Sequence, residues 1–280
     1  MNIEQAIQNL KDDDVAIRKE AIESLSGCSD ENIIDDLLIA VTDDNAQVRF
    51  KAAEILGNFG DSAFDKLTKE YENSDGKNKR FFGFALKETG NPKATEYFVK
   101  SVDDEDFGVR KVAIRALGEL KAENELDSIS KGLEDEDWGV RLAAIYALGD
   151  IASEESIDLI KKARRKEKDK DFKKSCNKAL KKAEKVLKAK KSGKTVSNVI
   201  PMSRIKEMEN SNLNKAIKEY EKYVTEGQPK DAPYKRLCII YRKNNDYDNE
   251  IRVIKRAIEV LSDKKPGKEE YFQKRLDKMV

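Results

Sequence analysis

The chain has 280 residues, of which 39% are apolar and 39% charged, with a net charge of only +1. Apolar residues this dilute have to be spent in thin layers, which favours an elongated stack over a sphere with one thick core. There is no histidine, which excludes an imidazole base, a Ser–His or Cys–His nucleophile pair and a histidine-ligated metal, so no metal site and no cofactor is expected.

The opening MNIEQAIQNL lacks a basic stretch followed by an apolar one, and no run of about 18 apolar residues follows, so the expectation is a cytoplasmic protein without a membrane span. Cys28, Cys176 and Cys238 lie far apart with no paired spacing, as expected for idle or buried thiols in a reducing compartment. The small net charge hides a segregation. Residues 1–160 carry 19 basic and 36 acidic side chains (−17), residues 161–194 carry 17 and 4 (+13), and residues 195–280 come to +5.

Along residues 1–160 one grammar recurs: an acidic turn, then an apolar residue and an arginine, at Ile17-Arg18, Val48-Arg49, Val109-Arg110 and Val140-Arg141. With Arg80 filling the third place, the arginines are spaced by 31, 31, 30 and 31 residues, and a fixed period near thirty signals a stack of similar units. The fourth and fifth copies are nearly the same text, DEDFGVRKVAIRALGEL from Asp104 and DEDWGVRLAAIYALGDI from Asp135. Asp106 and Asp137 stand where a helix N-cap belongs, and Gly118 and Gly149 stand near the C-terminal end. Shorter amphipathic stretches such as ENIIDDLLIAV and ENELDSISKGL lie between the blocks, so each unit reads as a two-helix hairpin. The third copy (FFGFALKETG) is degenerate and has Ser74 where the turn aspartate belongs, which predicts a loosened joint near residues 74–90. A sixth, lysine-rich copy, DFKKSCNKALKKAEKV, reads as a cap.

On the helix beginning near Asp137, at 100° per residue, Ala143, Ala144, Ala147, Leu148 and Ile151 share the side of Val140 and form the packing face. Trp138, the only tryptophan, falls at about 160°, Leu142 at about 200° and Tyr146 at about 240°. They make a second apolar stripe turned away from the first. The same places hold Phe107, Lys111 and Arg115 in the fourth copy, and Ala46, Phe50 and Glu54 in the second. Two readings of this stripe are open: aromatic anchors flanked by cations for a protein partner, or spacers packed over neighbouring turns.

These repeated blocks resemble the short HEAT repeats of bacterial and archaeal proteins of the phycobilisome-lyase-like kind, over roughly residues 1–185. The resemblance implies an all-α fold, an α-solenoid of about six hairpins whose second helices line a concave wall. It also implies links between neighbouring units through the turn aspartates and helix arginines: Asp12 and Arg18, Asp43 and Arg49, Asp104 and Arg110, Asp135 and Arg141. The lyase label reflects the repeat and not the chemistry. Deoxyhypusine hydroxylase, an enzyme on this scaffold, holds its di-iron site on His–Glu pairs that this sequence lacks.

Residues 161–191 are rich in helix formers and lysine, including Lys173, Lys174, Lys181, Lys182, Lys185 and Lys188. Three readings are open here: a solvated face, a grip on RNA, the ribosome or another acidic surface, or a dock for the acidic half of this or a second molecule. Phe172 is the one aromatic residue in the segment, which is sparse for base stacking. SGKTVSNVIPMS, 192–203, reads as a linker. Residues 204–280 resemble tetratricopeptide repeats, with Ala216, Tyr220 and Tyr223 in one unit and Tyr234, Leu237, Tyr241, Ile254 and Ala257 in the next. Glu250 takes a place usually held by a small residue, and a solvating helix is expected over 267–280. Together these readings predict a non-catalytic interaction scaffold, an adaptor or assembly factor that binds a protein partner. The alternative is a nucleic-acid- or ribosome-associated factor working through 161–191.

Overall fold

In the computed structural model, described over residues 1–192, 201–211 and 213–279, the chain divides into two compact units, Met1–Lys194 and Thr195–Val280. Every regular element among the described residues is helical. The first unit stacks six hairpins: α1 (Ile3–Asn9) with α2 (Val15–Ser24), α3 (Ile34–Ala40) with α4 (Ala46–Asn58), α5 (Asp61–Asn73) with α6 (Gly76–Glu88), α7 (Ala94–Lys100) with α8 (Phe107–Glu119), α9 (Leu126–Lys131) with α10 (Trp138–Ile151), and α11 (Glu154–Lys166) with α12 (Lys170–Lys191).

In five of the six hairpins the second helix starts where a short polar side chain caps it. Asp14 accepts from Ala16 N at 2.7 Å, Asp106 from Val109 N at 2.9 Å, Asp137 from Val140 N at 3.0 Å and Asp169 from Phe172 N at 2.7 Å. Such a cap is worth about 1 kcal/mol, and here it also fixes the rotational phase of each helix. Val109, Ala113 and Leu117, like Val140, Ala144 and Leu148, are therefore aimed into the stack and fully buried. Successive second helices pack on one another far more extensively than successive first helices, so the second helices form a continuous layer of their own.

Gly118 and Gly149 are not caps. They lie inside α8 and α10, where a Cβ on Gly118 would run into Cα and Cβ of Ala147 and one on Gly149 would sit 3.1 Å from Cβ of Ala179. Glycine is present because the next second helix comes too close for a side chain. α10 ends instead on a left-handed Ala152 at φ 54°.

The ladder between hairpins has a direction. Arg18 donates to the carbonyls of Asp12 and Asp13 in its own turn, and reaches forward with Nε to Asp43 Oδ2 at 2.7 Å. Arg110 repeats this, holding the carbonyls of Asp104 and Glu105 and reaching Asp135 at 2.7 Å. Asp43 and Asp135 thus bond to the preceding hairpin's arginine, while the in-unit pairs expected from the sequence meet through backbone carbonyls. The third hairpin is in register through Lys79, not Arg80. Lys79 lies four residues after the residue preceding its helix, Asp75, as Arg110 does after Asp106, and its Nζ reaches Asp104 Oδ2 at 2.9 Å. Asn73, not Ser74, then occupies the place of the turn aspartate, because α5 runs on to Asn73.

Arg49 accordingly has no carboxylate to reach. It donates to the carbonyl of Asp44 at 2.9 Å, its guanidinium lies 5.0 Å from the centroid of the Phe81 ring, and its buried Nε has no partner. α6 also lacks a side-chain cap. The predicted weak joint is therefore a missing link in the ladder between hairpins two and three.

The second unit holds α13 (Met202–Ser211), α14 (Leu213–Thr225), α15 (Asp231–Lys243), α16 (Tyr247–Lys264) and α17 (Glu270–Leu276). The expected linker over 192–203 falls mostly outside the described residues, and Met202 and Ser203 already belong to α13. Tyr220, Tyr223, Tyr234, Leu237, Ile254 and Ala257 are buried, as packing residues should be. Glu250 is fully buried and ionically satisfied, with Arg242 Nε at 2.6 Å from Oε2 and Arg275 Nη2 at 2.6 Å from Oε1. The expectation of a purely solvating last helix fails at Phe272. That ring is fully buried, 6.2 Å from Tyr234 in an edge contact, so α17 closes this core.

Candidate partner-binding face

Counting from the caps puts the face of this second-helix layer that is turned away from the core, a wall of side chains, in rows. The first row holds Val15, Ala46, Gly76, Phe107, Trp138 and Lys170; the second holds Lys19, Phe50, Arg80, Lys111, Leu142 and Lys174; the third holds Glu23, Glu54, Phe84, Arg115, Tyr146 and Lys178. Cross-contacts verify the alignment. Arg115 lies 5.9 Å over Tyr146 in the third row and Lys182 pairs with Asp150 one turn further on, while Phe50 of the second row stacks on Phe84 of the third with centroids 5.0 Å apart.

The stripe residues expected from sequence occupy this wall with unequal exposure. Trp138 is 47% exposed, Phe107 48% and Phe50 49%. Leu142 and Tyr146 are half-buried, and Leu142 packs partly on the main core. Lys111 is exposed and reaches toward Gly139, at the start of the next second helix. Arg115 is committed to an ion network, at 3.0 Å from Glu119 and 3.3 Å from Asp150. Burial works against ionisation of Glu119, but Lys87 and Arg115 outweigh it and hold the carboxyl below its usual range.

Arg80 and Phe84 belong to the wall and were missed by aligning the third copy on Arg80. The cap at Asp75 is the signal that would have set the register. Arg80 braces the joint to hairpin four: it lies 5.0 Å over the Phe107 ring and makes a two-pronged bond to Asp106, with Nε to Oδ1 at 2.6 Å. That bond pulls the Asp106 carboxyl below the ordinary aspartate range. Trp138 has neither a ring partner nor a cation over it among the described residues.

The basic segment divides in the same frame. Lys182 bonds Asp150, Lys190 donates to the Ile151 carbonyl and Lys191 pairs with Glu154, so part of the charge fastens α12 to α10 and α11. Lys174, Lys181, Lys185 and Lys188 are exposed, and Lys173 is half-buried. Phe172 is buried in the core and is closed to a base. Cys176 and Cys238 are buried, and burial pushes their thiols up to about 11 and about 12, away from the thiolate. Among the described residues no group of Asp, Glu, Cys or His is placed to hold a metal, and no helix is long and apolar enough to cross a membrane.

Stacked hairpins joined through a continuous layer of second helices define an α-solenoid repeat protein. A family model for HEAT repeats matches residues 3–76, 64–132 and 112–181, and the chain belongs to that family. Among solved structures, it is similar to one from the complex of CpcE and CpcF of phycocyanin lyase from Nostoc sp. PCC7120, at 17% identity over 54% of this chain and 99% of that one, with a TM-score of 0.50. Computationally designed armadillo repeat proteins for modular peptide recognition match at 18% identity over 65% and 99%, with a TM-score of 0.43. Human deoxyhypusine hydroxylase matches at 18% over 65% and 84%, with a TM-score of 0.35. No curated protein sequence gives a significant match.

Proposed function

We infer that the chain is a non-catalytic adaptor or assembly factor that holds a protein partner against the inner wall of hairpins four to six, with residues 204–280 forming a short tetratricopeptide-like module. Repeat solenoids commonly serve as protein-interaction scaffolds. The observation that carries the reading is Trp138, a large ring half in solvent on a helix whose opposite face already packs the stack. Leaving such a surface bare is unfavourable, and half-exposed aromatics amid cations are the groups from which interface anchors are drawn. The likeness to phycocyanin lyase raises a lyase reading, but at this identity it speaks for the fold alone, and the two most buried thiols are poorly placed as nucleophiles.

The test is capture from a nuclease-treated lysate on the wild-type chain and on Trp138→Ala. The reading expects a protein retained by the wild type and lost by the variant at unchanged melting temperature. It fails if the variant retains every partner, or if nuclease releases what is bound.

A further inference from the structure

We propose that the partner segment is acidic with at least one large apolar anchor: the anchor seats on Trp138 and Leu142 of α10, and the carboxylates face Lys170, Lys174 and Lys178 of α12. This rests on the inner-wall reading above and names the chemistry of what the wall takes.

The aromatic stripe and the basic segment, separate features in the sequence, are one surface in the fold. Asp137 and Asp169 cap α10 and α12 in the same way, so Lys170 corresponds to Trp138, Lys174 to Leu142 and Lys178 to Tyr146. The neighbouring rows are in contact: Gly149 meets Ala179, and Lys182 pairs with Asp150. Packed helices lie about 8–10 Å apart, so an apolar row and a cationic row run side by side within reach of one peptide. The three lysines are exposed and have no ion pair among the described residues, whereas Lys166, Lys182 and Lys191 are each bound to a carboxylate. Lys111, on the other flank of Trp138, is likewise exposed and unpaired.

Unpaired cations on both sides of an apolar row are complementary to an anionic ligand with an apolar centre. A nucleic acid is the other polyanion to weigh. Its phosphates would have to pass the acidic turns beside this row, where Glu105 and Glu136 are exposed, and Leu142 offers nothing to a base. A short peptide can confine its charge to the α12 side.

Trp138 is the only tryptophan, so its emission reports on this site in the full chain. A random-peptide phage library is panned on the protein, and enriched peptides are titrated by Trp138 emission against wild type and the triple variant Lys170→Gln/Lys174→Gln/Lys178→Gln. An oligouridine is titrated in parallel. The expected result is a consensus of Asp or Glu with an aromatic or large aliphatic residue, a blue shift of emission, and about tenfold weaker binding to the triple variant at low salt, as three partly exposed charge contacts would give. Neutral or basic peptides that shift Trp138 and ignore the lysines would overturn the acidic specificity and leave the inner-wall reading standing. Enriched peptides that bind without moving Trp138, or no enrichment at all, would overturn both. Oligouridine competing for the site would replace the peptide with nucleic acid, and emission that shifts with protein concentration alone would replace it with a second copy of the chain.

Discussion

Arg110 spans two hairpins: one nitrogen is held by the carbonyls of Asp104 and Glu105 in its own turn, and the fork on the other side grips Asp135 of the next turn at 2.7 and 2.9 Å. Both side chains are about nine-tenths buried, so water does little to screen or replace the pair. Arg110→Ala should lower stability by about 2–3 kcal/mol, the range for stripping a charged hydrogen-bond partner from a mostly buried carboxylate. Lys66→Ala removes a pair whose two side chains are 50% and 71% exposed, and should cost no more than about 0.5 kcal/mol. Equal losses in chemical denaturation would contradict the ladder.

Acid should attack the same links. The side-chain bond from Arg110 lowers the Asp135 carboxyl, and that from Arg80 lowers Asp106. A carboxyl whose folded pKa is depressed contributes stability that is fully present above its unfolded value of about 3.9 and is lost as pH falls through the folded value. Stability should therefore hold from neutrality down to roughly pH 5 and fall below about pH 4. Asp135→Asn should start lower and lose less as pH falls below about 4. An unchanged acid limb in this variant would show that Asp135 is not part of the link.

Arg141, like Arg49, bonds only carbonyls of its own turn, but of these two joints only the one ahead of Arg49 leads into a helix without a side-chain cap, and it should open first. Arg49 finds no carboxylate and α6 lacks a side-chain cap, so amides over residues 72–80 should exchange faster than those of α8 and α10. Asn73→Asp, which puts a carboxylate where the other turns have one, should slow exchange there. Faster exchange in hairpin five than at this joint would count against it.

Close approach of α8 and α10 depends on Gly118. A methyl group there meets the backbone of Ala147, which cannot step aside as a flexible side chain could. Gly118→Ala should cost about 1–3 kcal/mol, the range for overpacking a tight contact, despite alanine's better helix propensity. A neutral or stabilising result would mean that the two helices separate freely.

Trp138→Ala should leave the melting temperature nearly unchanged while abolishing partner capture, because that ring is half in solvent, whereas Phe107→Ala should also loosen the joint that Arg80 braces over its ring. Tyr146→Ala should cost some stability as well, since that ring is half-buried under Arg115. A large fall in melting temperature for Trp138→Ala would make the ring a spacer between hairpins.

The hairpin count, the caps at Asp106 and Asp137 and the packing face of α10 were legible because each rests on local chemistry and helical period. The register of the third hairpin was not: two adjacent cations, Lys79 and Arg80, both satisfy the pattern, and only the length of α5 and the turn at Asp75 decide between them. Phe272 was illegible for a related reason, since one apolar ring in a charged stretch gives no period, and its burial depends on Tyr234, far away in the chain. The wall lysines were visible as composition, but their alignment with Trp138 needed the phase of α12 relative to α10.

The forward reach of the ladder makes the two ends of the stack unequal under truncation. Cutting away α1 and α2 deprives Asp43 of Arg18, yet that carboxylate keeps its bond from Asn45 N at 2.7 Å. Cutting from the other side, before Asp135, strands Arg110 with a bare guanidinium fork and no anion ahead of it. Shortened chains should therefore stay folded when trimmed from the amino end and fail sooner when trimmed from the carboxyl end. During synthesis, likewise, Arg18 and Arg110 each wait for the next hairpin to bring an acid.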